Sequence, residues 1–139
     1  LDRIEYVRWA TLKDLDRIYS LAQEHTKELG YISRPVIERA IRERECIVVD
    51  ISSNIVGFAK FHKTRQRITT LYSICVSKDY RGKGFGKAMI QFLQEHNHRN
   101  IQLKCPTDNE SNNFYKHLGF KLYATVPGKK RSLNIWRTF

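Results

Sequence analysis

Arg81-Gly82-Lys83-Gly84-Phe85-Gly86-Lys87 lies between a strand-like run, Ile68–Val76, and an amphipathic run, Lys87–His96. Glycine lets a backbone turn tightly and approach a ligand closely. The first N–H groups of the helix that follows lack intrahelical partners, and the helix dipole adds partial positive charge there. Three glycines at a strand-to-helix turn, with Arg81, Lys83 and Lys87 beside them, therefore describe an anion site. Two better-known phosphate loops do not fit. A Walker A loop ends Gly-Lys-Ser/Thr, whereas this one ends Gly86-Lys87-Ala88. A dinucleotide fingerprint spaces its glycines Gly-x-Gly-x-x-Gly, whereas Gly82, Gly84 and Gly86 alternate.

Working outward, the periodicity alternates between two and 3.6. Glu5–Ala10 reads as a strand. Thr11, with Asp14 three residues on, caps a long helix whose apolar positions are Leu12, Leu15, Ile18, Tyr19 and Ala22, and Gly30 stops it. Ser33 caps a second helix with Pro35 in its first turn. Cys46–Ile51 and Ile55–Phe61 form a hairpin about Ser52-Ser53-Asn54. After Ile68–Val76 and the glycine loop, Lys87–His96 is a helix with Ala88, Met89, Phe92 and Leu93 inward. Ile101–Cys105 is a strand. Asp108 or Asn109 caps a short helix through Leu118, closed by Gly119. Phe120–Val126 and Ser132–Thr138 pair last. The order β-α-α-β-β-β-α-β-α-β-β is that of one mixed α/β domain spanning residues 1–139.

Composition narrows the function. A chain of 139 residues with 41% hydrophobic and 28% charged residues is large enough to bury a core and is not a disordered tail. No apolar run nears the roughly 20 residues of a membrane span, and Leu1–Glu5 lacks the apolar core of a signal peptide. We expect a cytoplasmic protein with no membrane partner, a monomer or a homodimer. Cys46, Cys75 and Cys105 form no C-x-x-C pair, so they are expected as free buried thiols, and no metal is expected. The net charge of +11 is unevenly placed. Residues 1–45 carry nine Lys/Arg and nine Asp/Glu, so the whole excess lies in residues 46–139. Such a field attracts nucleotides, polyphosphates or nucleic acid and disfavours polycations.

A second segment adds specificity: Asp108-Asn109-Glu110-Ser111-Asn112-Asn113-Phe114-Tyr115-Lys116-His117-Leu118-Gly119-Phe120. Arg81-x-x-Gly84-x-Gly86 resembles the R/Q-x-x-G-x-G/A coenzyme A signature of the GNAT superfamily of N-acetyltransferases. Phe114-Tyr115-Lys116-x-x-Gly119-Phe120 resembles that family's F-Y-x-x-x-G-F ending. The spacing between the motifs and the order of elements along the chain are also similar. The resemblance implies a twisted mixed sheet of about seven strands with four helices, strands 4 and 5 splaying apart around acetyl-CoA as cosubstrate. By resemblance, the backbone of Ile74, Cys75 and Val76 would bond the pantetheine arm. Gly82, Lys83, Gly84, Phe85, Gly86 and Lys87 would cradle the pyrophosphate with Arg81, and Asn112 would add a coenzyme contact. Tyr115 would lie near the sulfur as general acid. Its chemistry suits that role, since a phenol can protonate a departing thiolate over about 3 Å.

The chain departs from the family in one respect that matters. Many members carry a glutamate base on the fourth strand, but Thr69-Thr70-Leu71-Tyr72-Ser73-Ile74-Cys75-Val76 has no carboxylate and no histidine. His62, His117 and Asp108 are the titratable candidates, each more readily structural than catalytic. An acceptor with a low-pKa amine, such as an α-amine near ~8, would need no strong base. Cys75 is expected as a buried strand thiol and not a nucleophile, because no His or Lys stands beside it in sequence. Three functions remain open. One is N-acetylation of a primary amine by direct transfer in a ternary complex. Another is acetylation of nucleic acid, a nucleotide or aminoacyl-tRNA. The third is a non-catalytic module binding coenzyme A or nucleic acid. The basic turns Lys63/Arg65/Arg67 and Lys129-Lys130-Arg131 would suit RNA or DNA, or are solvated hairpin tips.

Overall fold

The computed structural model describes residues 3–96 and 98–139. In chain order the elements are β1 (Val7–Trp9), α1 (Leu15–Glu24), α2 (Thr26–Leu29), α3 (Arg34–Arg42), β2 (Cys46–Ile51), β3 (Asn54–Lys63), β4 (Ile68–Val76), α4 (Phe85–Glu95), β5 (Asn100–Pro106), α5 (Ser111–His117), β6 (Lys121–Val126) and β7 (Leu133–Arg137). The strands make one sheet in the order β1-β2-β3-β4-β5-β7-β6. Each neighbouring pair is antiparallel except β4 and β5.

Strand alternation sorts the apolar residues onto two faces. Ile47, Val49, Ala59, Phe61, Leu71, Ile74 and Val76 pack beneath α4 with Met89 and Leu93. Val48, Phe58 and Cys75 face the other way, against Ile18 and Leu21 of α1 and Ile37 and Ile41 of α3. Arg8 on β1 fastens the start of α1 to the sheet. Its guanidinium donates to Asp14 at 2.8 Å and to Asp50 at 2.9 Å. All three cysteines are buried and free.

The parallel pair carries the opening that matters. β4 and β5 pair only at Ile68/Asn100, Thr69/Ile101 and Thr70/Gln102. From Leu71 to Val76, β4 continues along β3 while β5 turns toward β7. The β5-facing backbone of β4 therefore has no partner strand over that stretch among the described residues. This is the expected splay of strands 4 and 5.

There are five α-helices where four were expected, because the first one breaks. His25 sits at φ −123° and ψ 27° between α1 and α2. Its ring Nδ1–H donates to the Leu21 carbonyl at 2.8 Å, taking the acceptor that its own backbone N–H would use in an uninterrupted helix. That backbone N–H bonds Ala22 O instead, at 3.1 Å. A one-turn helix follows and ends at Gly30, with φ +74°.

Candidate active site

A cavity of about 640 Å³ fills the splay. Its first wall is the glycine loop. Gly84 takes φ +90° and caps α4, so the helix begins at Phe85, two residues earlier than its apolar pattern predicts. The Ala88 N–H bonds Gly84 O at 3.0 Å. The N–H groups of Phe85, Gly86 and Lys87 precede that bond, at the mouth of the helix, where an anion is favoured. Gly82 and the cations Arg81 and Lys87 also line the cavity. Arg81 is held in place: its Nε donates to Val76 O at 2.9 Å, tying the loop to the end of β4. The Phe85 ring is buried against Tyr6 and Tyr80.

The second wall is the unpaired edge of β4, with Ile74, Cys75 and Val76. Burial pushes the Cys75 thiol up to about 12, so it stays protonated and is a poor nucleophile. The third wall is α5. Gly86 lets α5 approach: a Cβ there would stand 2.8 Å from Leu118 Cδ2 and 3.4 Å from Phe114 Cζ. Tyr115 lines the cavity beside Phe114 and Leu118. Burial, with a smaller push from Cys105, raises its phenol to about 12. At neutral pH it is a hydrogen-bond donor and not a phenolate.

Two of the residues expected at the site lie elsewhere. Lys83 is not on the cavity wall; its Nζ stands 5.6 Å from the Tyr80 ring centre. Asn112 is a clasp for the sheet. Its Nδ2 donates to Pro106 O at 2.9 Å and Asn109 O at 2.7 Å. Its Oδ1 accepts from Trp136 Nε1 at 2.8 Å and Asn134 Nδ2 at 3.1 Å. Both amide hydrogens and both lone pairs are engaged within the protein, leaving none for a coenzyme contact. Trp136 itself is core, at 7% exposure.

Two of the three titratable candidates also lie off the wall. His62 pairs with Glu45 on an exposed part of the sheet, and Asp108 pairs with Arg131 at 3.2 Å in solvent. His117 does line the cavity, on an exposed position of α5. Sequence reasoning missed His25 and Glu28, which line the cavity from the side of α2. The signal was present: Leu15, Ile18, Ala22 and His25 recur at helical spacing, so the histidine rides on the buried stripe. His25 is 3% exposed, and its Nε2 has no hydrogen-bond partner among the described residues. An unmet buried acceptor costs about 1–3 kcal/mol. Among the described residues no cluster of His, Cys, Asp or Glu could hold a metal, and no helix is long and apolar enough to cross a membrane.

An exposed helix N-terminus, a strand edge with no partner strand among the described residues and a partly buried phenol meet on one cavity. Residues 42–122 match the acetyltransferase (GNAT) domain, and the chain belongs to that family, whose cosubstrate is acetyl-CoA. An uncharacterized N-acetyltransferase of Halalkalibacterium halodurans is 28% identical over 81 residues, 57% of this chain. The chain spans less than half of that relative, 46% of its length. An uncharacterized N-acetyltransferase of Pyropia yezoensis, ycf52, is 28% identical over 86% of this chain and 74% of its own. The fold matches the PaiA N-acetyltransferase of Thermoplasma acidophilum, solved in complex with coenzyme A. The TM-score is 0.77 at 15% identity, covering 93% of this chain and 96% of that one.

Proposed function

We propose that the chain transfers an acetyl group from acetyl-CoA to a primary amine by direct attack, with both substrates bound together. The observation that carries this reading is the convergence of α4's N-terminus, the free edge of β4 and Tyr115 on one cavity. The amides from Gly82 to Lys87 would hold the pyrophosphate, with Arg81 and Lys87 supplying charge-assisted contacts. The pantetheine arm would pair with Ile74, Cys75 and Val76 as a short extra strand. A β4 N–H near Val76 would stabilise the oxyanion that forms as the amine adds. Tyr115 would donate to the departing sulfur. Thiol release on mixing the protein with acetyl-CoA and a panel of amines, peptides and charged tRNA tests this. Release with at least one acceptor, absent without protein, supports it. Binding of acetyl-CoA without any release would leave the non-catalytic reading.

A second reading, an acceptor amine carried on RNA or another polyanion, is favoured by the open face of the sheet. His62, Thr70, Gln102, Arg137 and Lys121 are successive cross-strand partners and so share one face. Exposed Tyr72, Tyr123 and Phe139 lie beside this row. Lys60 stands 4.5 Å above the Tyr72 ring, and Arg137 lies 3.6 Å from the Tyr123 ring and 4.7 Å from that of Phe139. β3 to β7 contain no Asp or Glu, although Glu45 meets the row at His62. Cations beside stackable rings suit single-stranded nucleic acid. Replacing Lys60, Arg137 and Lys121 with Ser should flatten the salt dependence of RNA binding by up to about three units, one per lost phosphate contact. No gel shift with RNA at low salt would return the acceptor to a small amine or a peptide.

A further inference from the structure

β4 offers no carboxylate to deprotonate an amine, yet the cavity has a second end that the motifs do not describe. Its wall there is His25, Glu28 and Leu29, opposite Cys75. The electrostatic neighbours of the Cys75 thiol include Arg17 and Glu24 of α1, Glu28 of α2 and Arg81 of the glycine loop. This places α1 and α2 directly against the strand along which a thioester would lie.

His25 is the group here whose chemistry is prepared in advance. A carbonyl oxygen only accepts, so the 2.8 Å contact with Leu21 O puts the hydrogen on Nδ1. The neutral ring then carries its lone pair on Nε2, and no described residue satisfies it. The residue is 97% buried and its Nε2 is closed off in the resting protein, yet His25 contributes to the cavity wall, so a small displacement at the α1–α2 junction would bring Nε2 to an amine in the cleft. The other titratable groups on the wall are less suited. Cys75 and Tyr115 hold their protons, their pKa values pushed up to about 12 by burial. His117 lies on α5 and Glu110 just before it, Lys87 and Arg81 belong to the anion end, and Glu28 is solvent-exposed.

We propose that His25 is the general base for the acceptor and that Glu28, one turn on, attracts the ammonium form. This rests on the acetyltransfer reading above. The ammonium gives one proton to Nε2. The freed amine lone pair forms the C–N bond as the C–S bond breaks. Tyr115 protonates the departing sulfur and is restored by the second proton shed from nitrogen. Solvent then takes the proton from the imidazolium. The balance is one amide, one thiol and one released proton.

His25→Asn tests the assignment, because the asparagine Nδ2 can keep the bond to Leu21 O while Nε2 is deleted. We expect kcat/KM for the amine to fall by roughly a hundredfold to ten-thousandfold, with melting temperature and acetyl-CoA affinity unchanged. The parent rate should depend less steeply on pH than the variant rate, because the bound amine loses its proton to Nε2. The variant rate should keep rising about tenfold per pH unit toward the pKa of the amine itself, since only free amine reacts. A folded variant with a parent-like kcat/KM and pH profile overturns the proposal. A second readout needs no turnover. In ¹⁵N-labelled parent protein, His25 should show a protonated Nδ1 and a bare Nε2, and benzylamine with coenzyme A present should shift Nε2. No shift at saturating benzylamine also overturns the proposal, and this measurement decides if the variant does not fold. Absence of thiol release from the parent with every amine would instead count against the acetyltransfer reading, leaving the Nε2 titration to judge His25.

Discussion

At one end of the cavity the wall is backbone, and at the other it is side chain. The α4 end consists of amide groups exposed by glycines and ordered by the helix they begin. Nearly all of it comes from seven consecutive residues. The α2 end is His25, Glu28 and Leu29 brought against Cys75, about fifty residues later in the chain. A site built from contiguous backbone is written as a motif and is shared across a family that binds one cosubstrate. A site built from side chains on separate elements varies with the acceptor. The two ends should therefore fail differently when altered.

The largest effect should come from the backbone end. Gly84→Glu places a carboxylate at the helix mouth and should weaken acetyl-CoA binding at least about a hundredfold by calorimetry. Gly84 has φ +90°, so any side chain strains it. Gly84→Asn, which tolerates that conformation better, is the control and should keep most of the affinity. Equal losses in both would show that backbone shape, not charge, governs the site.

Tyr115 belongs to neither end, and Tyr115→Phe separates chemistry from binding. Its kcat should drop tenfold to a thousandfold while acetyl-CoA affinity stays nearly constant. With the phenol held at about 12, Tyr115 should contribute no alkaline limb to the rate below about pH 10. Lost affinity with kcat retained would make Tyr115 a packing residue.

Asn112→Ala should lower stability by about 1–3 kcal/mol in urea titration, because Trp136 Nε1–H and the carbonyls of Pro106 and Asn109 lose their partner. Any loss of acetyl-CoA affinity should be no larger than unfolding explains. A greater loss would return Asn112 to the coenzyme site. The smallest effect is expected at Cys75→Ala. A protonated buried thiol takes no part in direct transfer, so kcat should change by no more than about twofold. Accumulation of an acetylated Cys75 in the parent would contradict direct transfer.

These residues also show what was legible in the chain. Gly82 to Lys87 and Phe114 to Phe120 are local patterns whose meaning survives without tertiary context. The helix break at His25 was not legible. It depends on which donor wins the Leu21 carbonyl, and Leu15, Ile18 and Ala22 alone describe an unbroken helix. The clasp at Asn112 was not legible because its partners, Asn134 and Trp136, are more than twenty residues away and become neighbours only through the β5-β7 pairing. The row from His62 to Lys121 is likewise a product of register across five strands, invisible in any one of them.

The position of β7 has a consequence for how the molecule comes together. The last strand in the chain lies between β5 and β6, so neither can complete its ladder until β7 arrives. Long-range pairings of this kind form late, because the loop must close before its contacts form. The Asn112 clasp waits on the same event, since its acceptor oxygen is claimed by β7. The glycine loop, by contrast, is tied to β4 and packed against Tyr6 and Tyr80, all of which precede β7 in the chain. During synthesis the nucleotide end of the cleft would thus take shape before the wall that carries Tyr115, and a chain cut before Leu133 should keep the first and lose the second.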